Sequence, residues 1–214
     1  MSRKIVRLSL DHLAVLGTRL GAPCASCLTW QLDPVARARM PEAEHAEAKE
    51  AWVSEVLREW GACGRIALVD DRPVGLAIYA PPSFLPGAAA FPTAPVSSDA
   101  VLLASLWVHP EYAGGGLGRM LIQGTARDLA HRGDVTAIEA FGRTGPARPG
   151  CALPAEFLSR VGFKTHRSHL TTPRMRMDLR TAVAWRSEVE AAIERLVGAV
   201  RPTPAPAPGE ARAG

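Results

Sequence analysis

Cysteine is scarce in this sequence, and its scarcity excludes a disulfide scaffold. The chain of 214 residues has four cysteines, Cys24, Cys27, Cys63 and Cys151, at uneven spacing. Secreted domains that depend on disulfides are much denser in cysteine, so we expect reduced thiols. Cys24 and Cys27 form a single Cys-x-x-Cys pair without a second pair or a histidine at a typical spacing. We therefore expect no metal, and we interpret the pair as buried or as lining a substrate site.

Long apolar runs are also missing. No apolar stretch approaches the roughly 18–20 residues that a membrane-spanning helix needs. Residues 1–13 carry early positive charge but lack a long apolar core and a small-residue cleavage site, so they are interpreted as a first strand and not as a signal peptide. These absences predict a cytoplasmic protein that has no membrane partner.

Charge of either sign is limited. The 25 Lys and Arg residues outnumber the 21 Asp and Glu residues by a formal net charge of +4. This excess is too small to predict a nucleic-acid partner, but it suits a ligand that is rich in phosphate. With 47% hydrophobic and 21% charged residues, the chain can form an ordinary core. Its length fits one domain followed by a tail.

Hydrophobic periodicity predicts a series of strands and helices. The predicted strands lie at residues 3–10, 65–69, 74–79, 100–108, 134–141, 163–170 and 175–179. The predicted helices lie at residues 11–20, 41–60, 117–131, 155–161 and 181–200. Five prolines in residues 81–98 predict a long surface loop, and residues 201–214 are rich in proline and alanine, which predicts a disordered tail. The order of elements is typical of an α/β fold with a mixed sheet flanked by helices.

A glycine run between a buried strand and a helix is the most informative local signal. Residues 114–118 read Gly-Gly-Gly-Leu-Gly and follow the apolar strand 100–108. Glycine allows several backbone N–H groups to converge on one anion, and the start of a helix adds unpaired N–H groups and the positive end of its dipole. The segment therefore suits a diphosphate. It is not a Walker loop, because Gly118 is followed by Arg119 and Met120 and not by Lys and Ser or Thr.

The residues around the glycine run narrow this interpretation. Residues 108–121, VHPEYAGGGLGRML, resemble the central motif of the GNAT superfamily, the general N-acetyltransferases. Residues 157–163, FLSRVGF, look like the second signature of the same family, in which an apolar residue, Tyr and three residues precede Gly-Phe. The interval of one helix and one strand between the motifs is also similar to the family's. By order of elements the resemblance extends over about residues 3–179.

The resemblance implies a fold, a cosubstrate and an activity. The fold is a mixed, mostly antiparallel sheet that is flanked by helices and splayed between the fourth and fifth strands. An acyl-CoA N-acyltransferase domain spans residues 1–180, and a C-terminal helix at 181–200 and the tail at 201–214 follow it. The activity is transfer of an acetyl group from acetyl-CoA to an amine of a small molecule or a protein, by direct attack in a ternary complex. The enzyme is expected to be a monomer or a homodimer.

The resemblance also implies which residues hold acetyl-CoA. The pantetheine arm lies in the splay and pairs with the backbone of the fourth strand, and the glycine loop holds the pyrophosphate. The expected cofactor-binding residues are Leu106, Trp107, Val108, Gly114, Gly115, Gly116, Leu117, Gly118, Arg119 and Met120. Arg119 either adds charge near the phosphates or is a solvated arginine in the first helical turn.

Two positions depart from the family's pattern. The family's loop usually opens with Arg or Gln, where this chain has Ala113. Backbone amides do most of the holding, so coenzyme A binding is expected to survive. The second signature usually supplies a Tyr that protonates the leaving thiolate, where this chain has Leu158. Loss of a general acid removes roughly 10²-fold or more of rate acceleration. A catalytically weak or inactive coenzyme A-binding sensor or partner protein is therefore the alternative function.

Candidate catalytic and substrate residues follow from position. Glu139 lies in the fifth strand, where some family members have their assigned base; it either faces the cleft or lies on the solvent side of the strand. Ser105 in the fourth strand is a candidate for positioning a water. In the resemblance, the region between the first strand and the second helix lines the acceptor site, so Trp30, together with Phe84 of the proline-rich loop, is expected to contact the substrate. Core packing is the alternative for Trp30.

Overall fold

The computed structural model describes residues 1–145 and 152–180. Within these residues the strands are β1 Arg3–Arg7, β2 Gly64–Val69, β3 Arg72–Ala80, β4 Ala100–Val108, β5 Ala137–Arg143, β6 Leu153–Pro154, β7 Lys164–Arg167 and β8 Arg174–Asp178. The α-helices are α1 Leu10–Leu20, α2 Pro34–Arg39, α3 His45–Trp60, α4 Leu117–Ala130 and α5 Ala155–Arg160. The predicted helix at 181–200, the predicted tail at 201–214 and Cys151 lie outside the described residues.

The strands form one sheet in the order β1-β2-β3-β4-β5-β8-β7, with β6 paired to the end of β5. Every neighbouring pair along this order is antiparallel except β4 and β5, which run parallel. This arrangement confirms the predicted mixed, mostly antiparallel sheet. The short strand β6 was not predicted, because two residues are too few to show a period.

The sheet is splayed between its fourth and fifth strands, as predicted. Residues 100–102 of β4 pair with residues 137–139 of β5, and the pairing stops there. The rest of β5 pairs on one edge with β8 and, at Gly142 and Arg143, with β6. The second half of β4 therefore keeps β3 as its neighbour, and within residues 1–145 and 152–180 no strand pairs with it on the side that faces β5.

Alternation along the strands produces two apolar layers, one on each face of the sheet. Leu102 packs into the layer with the α1 residues Leu13 and Leu16. Leu103, one residue later, packs into the opposite layer with residues of α4 such as Leu121. The splay lies between these two layers. It is therefore a gap through the sheet that opens on both faces.

The proline-rich segment 81–98 is more ordered than the sequence predicted. It contains two 3-10 turns, Pro82–Phe84 and Pro86–Ala90, and it buries Leu85 and Val96. The hydroxyl of Thr93, itself 2% exposed, donates to the carbonyl of Thr172 at 2.9 Å. The segment is a loop without α-helix or strand, as predicted, but several buried apolar residues anchor it, and these were not predicted from its composition.

Candidate functional site

The second half of β4 offers a free backbone edge. Residues 106–108 pair with residues 75–77 of β3 on one side only. Within the strand, Leu103 lies opposite Tyr79 and Ser105 lies opposite Ile78, so Ala104 is an extra residue and forms a β-bulge. Backbone groups that no strand pairs with need a partner, because unpaired N–H and C=O groups are costly once water is excluded. This edge is suited to an extended, amide-bearing ligand.

The glycine loop begins where that edge ends. Gly114 and Gly116 have φ angles of 76° and 84°, a region that side chains with a Cβ rarely adopt. A Cβ at either position would meet no atom within 4 Å. Glycine is therefore required by the backbone conformation and not by a lack of space for a side chain. Gly116 is also the N-cap of α4, and no side chain caps its N–H groups. The loop and the start of α4 thus present unpaired donors to open space, an arrangement that binds anions.

The other residues of the loop have structural contacts. A Cβ on Gly118 would lie 3.2 Å from the ring of Phe157 and 3.6 Å from Leu106, so this glycine allows α4 and α5 to approach each other. Leu117 is 2% exposed and packs into the core, which leaves its backbone alone available to a ligand. Met120 is half-buried, and its N–H donates to the Gly116 carbonyl.

Two arginines contact the loop region from different elements. The Nη2 group of Arg119 donates to the carbonyl of Arg160 at 2.9 Å, so Arg119 ties α4 to α5 and is not simply solvated. Arg3 of β1 donates through Nη1 to the carbonyl of Gly115 at 2.6 Å. Arg119 was predicted from the sequence as a residue near the loop. Arg3 was not, because it lies 112 residues from Gly115 and no local pattern connects the two.

Glu139 is fully buried, so the alternative of a solvent-facing carboxylate is wrong. Its Oε2 accepts from Nη1 of Arg174 at 2.9 Å and from the backbone N–H of Ser97 at 3.2 Å. Its Oε1 accepts from Nη1 of Arg176 at 3.3 Å. The Arg176 guanidinium also bonds Asp99 and holds the pKa of Asp99 well below its usual range. Glu139 therefore belongs to a buried ion-pair network, and its role as a base stays a prediction.

Ser105 lies beside the β-bulge on the face that carries α1 and α3. Its side chain is 1% exposed, and its hydroxyl finds no nitrogen or oxygen partner among the described residues. Cys24, which a 3-10 turn carries onto this face, lies next to it. A buried hydroxyl without a partner is costly, so it marks a place where a water or a ligand atom is expected.

Cys24 and Cys27 form no disulfide. Burial raises the pKa of Cys24, and the nearby Lys49 ammonium offsets this in part, so the Cys24 thiol is uncharged at neutral pH. Lys49 is itself fully buried, and its Nζ donates to the carbonyl of Cys27 at 2.8 Å. The burial of Lys49 was not predicted from the sequence, although Lys49 lies on the same face of α3 as the buried Trp52 and Val56.

The two predicted substrate residues lie on the same face as Ser105. Trp30 is 1% exposed and stacks on Phe91 and Phe141, with ring centroids 4.7 Å and 5.7 Å away. Because Phe141 is in the part of β5 that does not pair with β4, this stack forms one wall beside the splay. Phe84 is half-buried, and its carbonyl accepts from Nε1 of Trp52 at 2.8 Å. Substrate contact by Trp30 and Phe84 stays a prediction.

Neither Leu158 nor Tyr79 is placed to supply the missing acid. Leu158 is fully buried in the core on the α4 side. Tyr79 is also fully buried; its hydroxyl donates to Asp128, and burial together with that carboxylate raises the pKa of Tyr79. Tyr112 lies in the 3-10 turn before the glycine loop. Tyr79 is thus committed to holding α4 against the sheet.

Metal clusters and membrane-spanning helices are two other features that the described part of the chain lacks. In residues 1–145 and 152–180, no group of three or more His, Cys, Asp or Glu side chains is arranged to hold a metal ion. Over the same ranges, no helix combines the length and the apolar character that crossing a membrane requires.

Three acetyltransferases of known structure have the same fold as this chain. The PaiA N-acetyltransferase of Thermoplasma acidophilum, solved with coenzyme A, is 16% identical over 83% of this chain and 99% of its own, with a TM-score of 0.53. The aminoglycoside acetyltransferase AAC(6')-Ib, also solved with coenzyme A, is 17% identical over 85% of this chain and 96% of its own, with a TM-score of 0.55. An N-acetyltransferase of Staphylococcus aureus Mu50 is 14% identical over 84% of this chain and 99% of its own, with a TM-score of 0.53.

Similarity at this level of identity establishes the fold alone. Comparison with curated proteins gives no match. The model of the acetyltransferase (GNAT) family, however, matches residues 28–149, which is more than half of the chain and includes the splayed strands and the glycine loop. The sheet, its splay and the loop agree with the resemblance of the two motifs. The chain belongs to the acetyltransferase (GNAT) family.

Proposed function

We propose that this protein is an N-acyltransferase that transfers an acetyl group from acetyl-CoA to an amine. The observation that carries the proposal is the succession of two features: an unpaired backbone edge on β4 and, after a short 3-10 turn, a loop of unpaired N–H donors. The pantetheine arm bears amide groups and matches the edge at residues 106–108. The diphosphate matches the loop with its positive φ angles at Gly114 and Gly116.

The thioester is expected beside the β-bulge, between the two mouths of the splay. The amine enters from the face that carries Trp30 and Ser105 and attacks the thioester carbonyl. A C–N bond forms, the C–S bond breaks, and backbone donors at the bulge stabilise the negative charge that develops on the carbonyl oxygen. The leaving thiolate takes up a proton from water, because Leu158 and Tyr79 cannot supply one.

The amine must lose a proton, and the contacts of Glu139 favour a water over direct transfer. A general base needs a lone pair within hydrogen-bond reach of the substrate. Both oxygens of Glu139 accept hydrogen bonds already, from Arg174 and Arg176. Ser105 has a buried hydroxyl at the bulge that lies next to Cys24 and finds no nitrogen or oxygen partner among the described residues, so it suits an ordered water. If Glu139→Gln keeps coenzyme A binding and loses thiol release, Glu139 and not a water is the base.

The acceptor is either a small-molecule amine or an amino group of a protein. AAC(6')-Ib, which has the same fold, has been solved with ribostamycin and coenzyme A, at 16% identity and a TM-score of 0.54. That complex supports a small polyamine as the first acceptor class to try. Phe91, the half-buried ring that stacks on Trp30 and Phe141, supports an acceptor with an apolar or planar part next to its amine.

Thiol release from acetyl-CoA tests the proposal. We expect release above the hydrolytic background with at least one member of a panel of aminoglycosides, polyamines and peptides with free N-termini, together with protection by acetyl-CoA against thermal unfolding. Protection without release for any amine would favour the coenzyme A-binding module, the alternative that Leu158 suggests. Neither protection nor release would reject both functions.

A further inference from the structure

Arg3 reaches the glycine loop from the edge strand β1, whose first residues lie at the same end of the sheet as Val108 of β4. It is the first residue of the edge strand β1, and its Nη1 donates to the carbonyl of Gly115 at 2.6 Å. The contact joins residues 112 positions apart. A Cβ on Gly115 would lie 3.5 Å from Nη2 of Arg3, so the guanidinium is close to the loop backbone.

The charge of Arg3 is not neutralised within the described residues. Its neighbour Lys4 pairs with Asp71 at 3.0 Å, and Arg7 at the other end of β1 lies 3.9 Å from Asp128. In the same part of the chain, no carboxylate lies within 4.0 Å of Arg3. A guanidinium has five N–H donors, and the Gly115 carbonyl occupies one. Arg3 is exposed, so the other donors and the full positive charge are available beside the loop.

The hydrogen bond also fixes the direction of a loop amide. In a trans peptide unit the carbonyl and the N–H of the next residue point in opposite directions. With the Gly115 carbonyl held by Arg3, the N–H of Gly116 must point away from β1. Gly114 and Gly116 have positive φ angles, and a Cβ at either would meet no atom within 4 Å, so side-chain packing does not hold this peptide in place. Ala113, which precedes them, contributes no charge.

We propose that Arg3 is part of the diphosphate-binding site. It clamps the peptide between Gly115 and Gly116 so that its N–H faces the ligand. Its guanidinium lies on the other side of that peptide and adds positive charge near the diphosphate, where Ala113 adds none. This inference rests on the proposed function, because the diphosphate is that of the acyl-CoA donor. The diphosphate site then includes a residue of the edge strand β1, whereas the motif alone places this site in the loop and α4.

Titration calorimetry of the full chain with coenzyme A and with dephospho-coenzyme A tests the proposal. Arg3→Ala should weaken the binding of both compounds about tenfold, the effect expected for losing one charged hydrogen-bonding group at a partly exposed anion site. Both compounds carry the diphosphate, whereas the second lacks the 3′-phosphate. A loss seen with coenzyme A alone would assign Arg3 to the 3′-phosphate and overturn the proposal.

Two further variants separate this role from general stability. Lys4→Ala, on the same strand but paired with Asp71, should leave both affinities within about twofold of wild type, since exposed pairs contribute little. Ala113→Arg in the Arg3→Ala background should recover most of the lost affinity, since it restores a guanidinium at the loop. Failure of that rescue, or an Arg3→Ala variant that binds like wild type, would overturn this inference alone. A wild-type chain that binds neither compound would overturn the proposed function as well.

Discussion

Replacing Gly116 with glutamate is expected to weaken the binding of coenzyme A by about 100-fold or more, because like charges brought together in a binding site cost several kcal/mol. Gly116 is the N-cap of α4, and a Cβ there would point into space in which no atom lies within 4 Å. A carboxylate at this position would occupy the volume assigned to the diphosphate and would accept from the same N–H donors. Isothermal titration calorimetry with coenzyme A measures the effect.

Backbone strain has to be separated from charge in this experiment. Gly116 has a φ of 84°, so any side chain there costs about 1–2 kcal/mol of folding stability. Gly21, the C-cap of α1, also has a positive φ, 60°, and open space around a Cβ, so Gly21→Glu is matched in strain and charge but lies outside the site. Gly21→Glu should bind coenzyme A like wild type. Equal weakening by both variants, or unchanged binding by Gly116→Glu, would remove the loop from the cofactor site.

Replacing Glu139 with glutamine is expected to lower the free energy of unfolding by about 3–5 kcal/mol, the usual cost of removing one partner of a buried ion pair. The carboxylate is fully buried, and it is the shared anion of Arg174 and Arg176. Glutamine keeps the shape but leaves two guanidinium groups without this negative partner. Urea unfolding, followed by fluorescence, gives the change in midpoint and in the free energy.

A matched variant distinguishes a buried network from an ordinary ion pair. Glu156 of α5 lies 4.0 Å from Arg160, and both side chains are largely exposed. Glu156→Gln should change stability very little, since exposed pairs contribute little. If Glu139→Gln lowered the free energy of unfolding as little as Glu156→Gln, the contacts of Arg174 and Arg176 with Glu139 would not stabilise the pairing of β5 with β8. Glu139 would then be better explained as a free carboxylate that is available for catalysis.

The parts of the fold that depend on local pattern were predictable. The strand 100–108, the glycine run and the helix that follows are contiguous, so their order and chemistry can be read from consecutive residues. The position of the splay could be predicted only through the resemblance of residues 108–121 and 157–163. A local pattern by itself does not specify where the pairing of β4 and β5 ends.

The parts of the site that depend on distant pairs were not predictable. Arg174 and Arg176 alternate with Met175 and Met177, a pattern that is also typical of a solvated edge strand. Their burial depends on Glu139, which is 35 residues away from Arg174. Nothing near Glu139 in the sequence shows this partner. The same holds for Arg3 and Gly115, whose contact depends on how the edge strand β1 meets the loop before α4.

The departures from the family's motifs have different consequences once the contacts are known. Ala113 removes a charged side chain from a site that still has its backbone donors and has Arg3 beside it. Leu158 lies in the core on the α4 side, and the buried Tyr79 hydroxyl is bound to Asp128. The contacts therefore support the binding of the cofactor more strongly than they support catalysis. The departures from the motifs affect the rate of acyl transfer.

Amide hydrogen exchange with and without coenzyme A tests the central claim most directly, since the claim is that one ligand bonds the free edge of β4 and the glycine loop together. The proposal predicts that saturating coenzyme A slows exchange in peptides covering residues 103–108 and 114–120, and that Gly116→Glu abolishes the slowing in both. Coenzyme A that binds while exchange in these two segments stays unchanged would contradict the claim, because the ligand would then lie elsewhere.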